Sequence, residues 1–188
     1  MLRLAGLTLL IIGGLRELTK LAAEKMLSDA NQNRHREEMH KVQKALLKYE
    51  KKNGCLPGGL KKSEEDTITR TSGALLYDLL QLDVPDDVRP LMDWPLAKNS
   101  ESFGLVFRGS FDRPTPDSVS LLDVWGESYH IIVDTNFDGQ VSNPEAGRKP
   151  GWFSSYVPPA TLPIRSAVFS SGPDKNPSTW DDNICSWR

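Results

Sequence analysis

The spacing of apolar residues divides the chain into a helical first third and a strand-rich remainder. From Leu15 to Asn53 there is no proline or glycine, and strong helix formers dominate. In the second half of this segment, apolar residues recur at the spacing of a helix with one buried face: Met39, Val42, Ala45, Leu46 and Tyr49. Asn53 and Gly54 form a helix stop. We therefore predict one long helix that ends at Asn53.

Beyond Gly54, short apolar runs alternate with turn-forming residues. Four leucines share one face of a short second helix: Leu75, Leu76, Leu79 and Leu80. Thr71 or Ser72 can cap this helix. Strand-like runs follow between residues that favour turns: Gly104–Phe107, Ser118–Asp123, Tyr129–Val133, Ala167–Ser170 and Ile184–Trp187. The pattern predicts an α+β chain with a hydrophobic and amphipathic helix over residues 1–53 and a globular head over residues 54–188.

An apolar run from Leu4 to Leu15 lies at the N-terminus. As a helix it would span roughly 18 Å, whereas a bilayer core of about 30 Å asks for about 20 apolar residues. Three interpretations stay open: a cleaved signal peptide, a weak membrane anchor, and a helix buried against other subunits. The first is the weakest, because no small-x-small cleavage site precedes Lys20.

The charge balance gives no general reason to expect a nucleic-acid partner, since the net charge is -2 and the pI about 5.9. The long helix is locally basic: Arg34, Arg36, Lys41, Lys44, Lys48, Lys51 and Lys52. Its basic face would attract anionic lipid or an acidic neighbour, or it is simply solvated. We favour solvation, because acidic residues are interspersed.

Two cysteines, Cys55 and Cys185, belong to no C-x-x-C pair, which argues against a zinc or thioredoxin-like site. In an oxidising compartment they could form a disulfide between the end of the first helix and the C-terminal tail. The alternative is two separate buried thiols. We favour the disulfide, because the apolar N-terminal run is consistent with export.

The segment from Asp134 to Glu145 matches the spacing of an EF-hand calcium loop, with oxygen ligands and one glycine in place: Asp134, Asn136, Asp138, Gly139 and Glu145. The flanking pattern disagrees with an EF-hand. A strand precedes the loop, and Pro144 stands where the second helix should begin. We therefore favour a metal-free β-hairpin turned at Asp138-Gly139, with Asn136 closing an Asx-turn.

A second acidic loop runs from Ser170 to Asn183 and contains Asp174, Asp181 and Asp182. Several carboxylates within a few residues provide the hard oxygen ligands that Ca²⁺ needs. Neighbouring carboxylates in one loop lack the contrasting environments of an acid–base pair. The histidines, His35, His40 and His130, belong to no recognisable nucleophile motif. We therefore expect no enzymatic activity.

Five features in sequence order resemble the type IV pilin-like proteins: the long first helix, the Gly54-x-x-Pro57-Gly58 stop, the leucine-rich helix, and two head motifs. The head motifs are Asp123-x-Trp125-Gly126-x-x-Tyr129 and Ser170-Ser-Gly172-Pro-Asp174, the latter followed by Asp181-Asp182-Asn183-Ile184. Within that superfamily the major pseudopilin of type II secretion systems is the nearest resemblance.

The resemblance implies a long N-terminal α-helix packed on a small antiparallel β-sheet head. It implies a structural subunit that self-assembles into a pilus-like filament or secretion pseudopilus with other pilin-like subunits. The helix would be anchored in the inner membrane, with the head in the periplasm or, after assembly, outside the cell. In such heads Ca²⁺ binds the C-terminal loop; the matching carboxylates are Asp174 and Asp181, with Asp182 as a substitute or additional ligand.

One position departs from the family pattern, because Ile11 stands where family members have a glutamate. Either the protein is a divergent pilin-like protein, or the N-terminus differs from the natural one. A different class of function also stays open: a secreted or surface-exposed recognition or adhesion domain that uses the same kind of head.

Overall fold

The computed structural model describes residues 32–82, 94–98, 103–109, 114–148 and 157–188. The chain divides into two compact units, residues 1–35 and residues 36–188, and the description below concerns the second. The apolar run Leu4–Leu15 lies outside the described residues. Among the helices that are described, none combines the length and the apolar character needed to cross a membrane.

Helix α1 covers residues 32–53. The helix ends as predicted: Gly54 adopts a φ of 69° and donates its backbone N–H to the Glu50 carbonyl at 2.8 Å. The apolar face predicted for this helix is also confirmed, because four of its five apolar residues are buried: Met39, Val42, Ala45 and Leu46. The second half of the helix is therefore part of the core.

Helix α2 covers Gly73–Leu80 and buries its four leucines as predicted. The predicted cap is confirmed in its position only. Ser72 occupies the N-cap position without a side-chain capping bond. The Thr71 hydroxyl instead donates to the Leu121 carbonyl at 2.9 Å and accepts the Tyr129 N–H at 3.0 Å. Thr71 therefore links the start of α2 to Leu121 and to Tyr129.

The described residues contain three antiparallel sheets. In chain order the strands are β1 (Thr67–Arg70), β2 (Gly104–Phe107), β3 (Val119–Leu122), β4 (His130–Val133), β5 (Val141–Ser142), β6 (Thr161–Leu162), β7 (Ser166–Ser170) and β8 (Ile184–Cys185). The main sheet has the order β1-β4-β7-β8, and β2–β3 and β5–β6 form separate two-stranded sheets. The runs predicted at β2, β3, β4, β7 and β8 are confirmed as strands, whereas β1, β5 and β6 were not predicted.

Alternate residues of the main sheet face two different cores, as the period of a β-strand requires. Ile131 and Val133 of β4 pack with α1, α2 and β3 on one face. Ile132 points to the other face, where it packs with residues of β5, β6 and β8 and with Phe169 of β7. The two inner strands, β4 and β7, are therefore covered on both sides.

The predicted fold class, a long N-terminal helix on one small antiparallel sheet, is wrong. The described residues contain α1, the short α2 and three separate sheets, and they contain no helix that spans Leu15 to Asn53. The prediction relied on an absence of Pro and Gly, which permits a long helix but does not require one. The part over residues 15–31 lies outside the described residues.

Candidate metal centre in the C-terminal loop

The loop that follows β7 is fixed at its start by a buried carboxylate. Ser170, the last residue of β7, donates its hydroxyl to Asp123 Oδ2 at 2.5 Å and accepts the Gly172 N–H at 3.1 Å. Asp123 Oδ1 accepts the backbone N–H groups of Trp125 at 2.9 Å and Glu127 at 3.0 Å. Asp123 therefore organises the turn after β3 and positions the first residue of the loop.

The next residue of the loop is held by a histidine of β4. His130 Nε2 hydrogen-bonds with Ser171 Oγ at 2.9 Å, and the His130 ring stacks on Phe169 with centroids 4.7 Å apart. Burial and, less strongly, Arg70 lower the pKa of His130 to about 4, so the ring is neutral at pH 7. A serine beside a neutral imidazole is the arrangement of a nucleophile and its base. Both side chains are buried, however, so the pair positions the loop.

Two hydrogen-bond donors of the loop bind the Asp174 carboxylate. Asp174 Oδ1 accepts the Asn176 N–H at 2.8 Å, and Oδ2 accepts the Thr179 hydroxyl. The Thr179 hydroxyl most strongly, and then the Asn176 N–H, hold the pKa of Asp174 below its ordinary value. The Asp182 side chain adds a smaller lowering of the Asp174 pKa, which indicates that the two carboxyl groups are neighbours. A cation beside these two carboxyl groups would be attracted to both of them.

Asn183, which precedes β8, adds a buried amide to the same loop. Its side chain donates from Nδ2 to the Pro177 carbonyl at 3.1 Å, so the amide faces the loop interior. The residue is 6% exposed, and within the described chain its Oδ1 atom has no hydrogen-bond partner. Leaving a buried carbonyl oxygen unpaired costs about 1–3 kcal/mol. Amide oxygens are among the ligands that Ca²⁺ accepts, so this atom fits a role in cation binding.

Close packing at Gly172 shapes the loop. Gly172 has a φ of 68°, and a Cβ atom there would lie 2.6 Å from the Asp182 carbonyl oxygen. The backbone at 172 therefore passes directly against the backbone at 182, and only glycine permits this approach. The contact keeps Asp182 beside the start of the loop.

The structure brings Asp182 to Asp174, but it places Asp181 elsewhere. The Asp181 side chain is 92% exposed and pairs with Arg148. The donor set at the loop is therefore made of Asp174, Asp182 and Asn183, all with hard oxygen atoms. In the parts of the chain that the structure describes, no three His, Cys, Asp or Glu side chains form a group that could hold a metal. The oxygen atoms of Asp174 and Asp182 and the unpaired amide oxygen of Asn183 are nevertheless of the types that Ca²⁺ prefers as ligands.

Hydrogen bonds to the Asp134 carboxylate organise the first acidic loop. Asp134 is 1% exposed, and its carboxylate accepts the N–H groups of Asp138 at 3.1 Å and Gly139 at 3.0 Å and the Arg165 Nε–H at 3.4 Å. The predicted Asx-turn is confirmed, because Asn136 Oδ1 accepts the Asp138 N–H at 3.0 Å. The predicted hairpin is wrong, because β4 pairs with β1 and β7 while β5 pairs with β6.

Glu145 takes no part in that loop. It is 1% exposed and accepts hydrogen bonds from Trp187 Nε1 at 3.1 Å and Arg188 Nε at 2.8 Å, and it also pairs with Arg148. A carboxylate bound by two guanidinium groups is not available as the twelfth ligand of an EF-hand. Glu145 instead fastens the C-terminal residues to the turn after β5.

The structure does not bring together the two cysteines for which a disulfide was predicted. Both are free thiols; Cys55 is exposed and Cys185 is buried. Burial raises the pKa of Cys185 to about 12. Cys185 therefore behaves as a small apolar residue of the second core.

Sequence reasoning did not identify two functional elements of this loop, Asn183 and the His130–Ser171 pair. Asn183 gave a usable signal, since a polar residue directly before a buried strand needs a partner. The pair gave none, because its members are distant in sequence and adjacent only after β4 and β7 align. No protein-family model, curated protein or solved structure matches this chain.

Proposed function

We propose that the chain is a structural subunit of a type IV pilus-like or type II secretion pseudopilus filament, and that Ca²⁺ stabilises its C-terminal loop. The observation that supports this proposal most is the hydrogen bond between Asp123 and Ser170. These residues open the two head motifs that resemble pilin-like subunits. Their contact makes the two motifs parts of one structural unit.

Calcium has a structural role in this proposal. Asp174, Asp182 and Asn183 Oδ1 would hold the ion. The hydrogen bonds of Ser170 with Asp123 and of Ser171 with His130 fix the start of the loop. A loop that contains two prolines and few apolar side chains gains little from hydrophobic burial. Binding of a cation would offset the entropy lost when such a loop is ordered.

The location and partners follow from the same resemblance. The apolar run Leu4–Leu15 would associate with the inner membrane before assembly and with other subunits afterwards. The head would lie in the periplasm, or outside the cell in the assembled filament. We propose no catalytic activity for it.

The test compares the full chain in CaCl2 and in EDTA. Calcium should raise the melting temperature, and Asp174→Asn or Asp182→Asn should remove that rise. Asp181→Asn is the matched control, because Asp181 has the same charge but pairs with Arg148, and it should keep the rise. Wild-type protein that melts at the same temperature in both buffers would refute the calcium site.

Assembly is a separate measurement. Sedimentation and electron microscopy of the full chain should show concentration-dependent polymers, and Leu9→Asp in the apolar run should prevent them. A chain that stays monomeric at all concentrations would refute the filament proposal. If that monomer bound a ligand of the cell surface or environment, the recognition-domain alternative would replace it.

A further inference from the structure

Two grooves of opposite charge lie on opposite faces of the head. The acidic groove has a volume of about 430 Å³ and is lined by Glu64, Glu65, Asp66 and Ile68 beside β1. The basic groove has a volume of about 370 Å³ and is lined by His40, Lys44 and Leu47 of α1 together with Ile164 and Arg165. Each groove combines charged groups with an apolar floor.

The main sheet separates the two grooves. Ile68 pairs directly with Ile132, whose side chain belongs to the core on the face away from α1. The acidic groove therefore opens on that face. The basic groove is lined by α1, which packs on the other face through Met39 and Val42.

Most of the charges at both grooves have no ion-pair partner within the described chain; the exception is Arg165, which pairs with Glu50 and Asp134. None of the salt bridges in that part of the chain involves Glu64, Glu65 or Asp66, and none involves Lys44 or Lys48. The apolar side chains are also uncovered, since Ile68 is 65% exposed and Leu47 is 46% exposed. Large exposed apolar residues within a charged rim are typical of protein–protein contacts.

Building on the proposed function, we propose that the acidic groove of one copy binds the basic groove of the next copy in the filament. A second copy is the occupant because one chain carries both complementary surfaces. Because the two grooves lie on opposite faces, a two-fold symmetric contact through either groove would place that groove against its own like charge, which is unfavourable. A head-to-tail contact between opposite faces leaves one free groove at each end and therefore propagates into an open filament.

The test uses two charge-reversed forms of the full chain. The first, Glu64→Lys with Glu65→Lys, makes both grooves basic. The second, Lys44→Glu with Lys48→Glu, reverses the charge on the α1 side of the basic groove, since Lys48 lies one turn beyond Lys44 on α1. Sedimentation velocity measures the association of each form alone and of an equimolar mixture.

Each form alone should associate at least about tenfold more weakly than the wild type, and the mixture should recover association in alternating order. Added salt, from about 0.05 to about 0.5 M NaCl, should weaken the wild-type and mixed assemblies alike. Asp117→Lys and Lys98→Glu are the controls, because both residues are exposed and line neither groove. These controls should associate like the wild type.

The outcomes separate this contact from the proposed function. If the charge-reversed forms assemble as well as the controls, or if their mixture does not recover, the groove contact is refuted while the filament proposal stands. If the wild-type chain does not assemble at all, the filament proposal and this contact are both refuted.

Discussion

Ser170 donates its hydroxyl to Asp123 Oδ2 at 2.5 Å, and this bond joins the end of β7 to the turn after β3. Asp123 is fully buried. Its other oxygen accepts two backbone N–H groups, so one carboxylate satisfies three donors. A single side chain thereby couples the geometry of a turn to the start of the candidate metal loop.

Replacement of Asp123 should therefore affect stability and calcium binding together. In Asp123→Ala, three donors lose their acceptor, the buried Ser170 hydroxyl among them, and we expect a loss of about 2–4 kcal/mol in the free energy of unfolding. Urea unfolding measures this value. Asp117→Ala is the control, since Asp117 is exposed and should change stability by less than about 0.5 kcal/mol. Equal effects of the two substitutions would contradict the role of Asp123.

His130 should make the head less stable in mild acid. Its pKa in the folded protein is about 4, below the ordinary histidine value of 6.5, so below pH 6.5 the unfolded chain binds more protons than the folded chain. Stability from this group is present above pH 6.5 and is lost as the pH falls towards 4. After allowance for solvent screening, the loss should be about 2 kcal/mol.

Chemical denaturation at several pH values between 4 and 7 measures that slope. His130→Gln can still hydrogen-bond to Ser171 but does not titrate, and its stability should vary less over this range. Parallel curves for the wild type and His130→Gln would show that another group causes the acid sensitivity.

The two thiols should react at different rates. Exposed Cys55 should react quickly with Ellman's reagent in the native protein, whereas buried Cys185, with its pKa raised to about 12, should react only after unfolding. Cys55→Ser should remove the fast phase and leave the slow one. If no thiol reacted in the unfolded, unreduced protein, the disulfide predicted from the sequence would be present after all.

Local elements of the fold could be predicted because their signals are local. The apolar spacing in α1 and α2, the stop at Gly54 and five of the strands follow from residues close in sequence. The pairing of the strands does not follow from residues close in sequence. Thr67 pairs with Val133, and nothing in either short run specifies the other. The polar composition around β1 concealed it, because only Ile68 interrupts its threonines and charges.

In the candidate site too, local features could be predicted from the sequence, whereas contacts between distant residues could not. Composition alone identified the loop and its carboxylates, yet it could not choose between Asp181 and Asp182. That choice depends on the tight approach of Gly172 to the Asp182 backbone and on Arg148, which pairs with Asp181. In the other loop, the EF-hand spacing of Glu145 had no structural consequence, because distant Arg188 binds its carboxylate.

The strand order β1-β4-β7-β8 also affects how quickly the head can fold. Two of its three pairings, β1 with β4 and β4 with β7, join strands separated by long stretches of chain, and β7 with β8 has the shortest connection in the main sheet. Each long-range pairing requires closure of a large loop before its contacts contribute any stability. Folding should therefore take milliseconds to seconds, as in other proteins of high contact order, with the β1 edge unpaired until late.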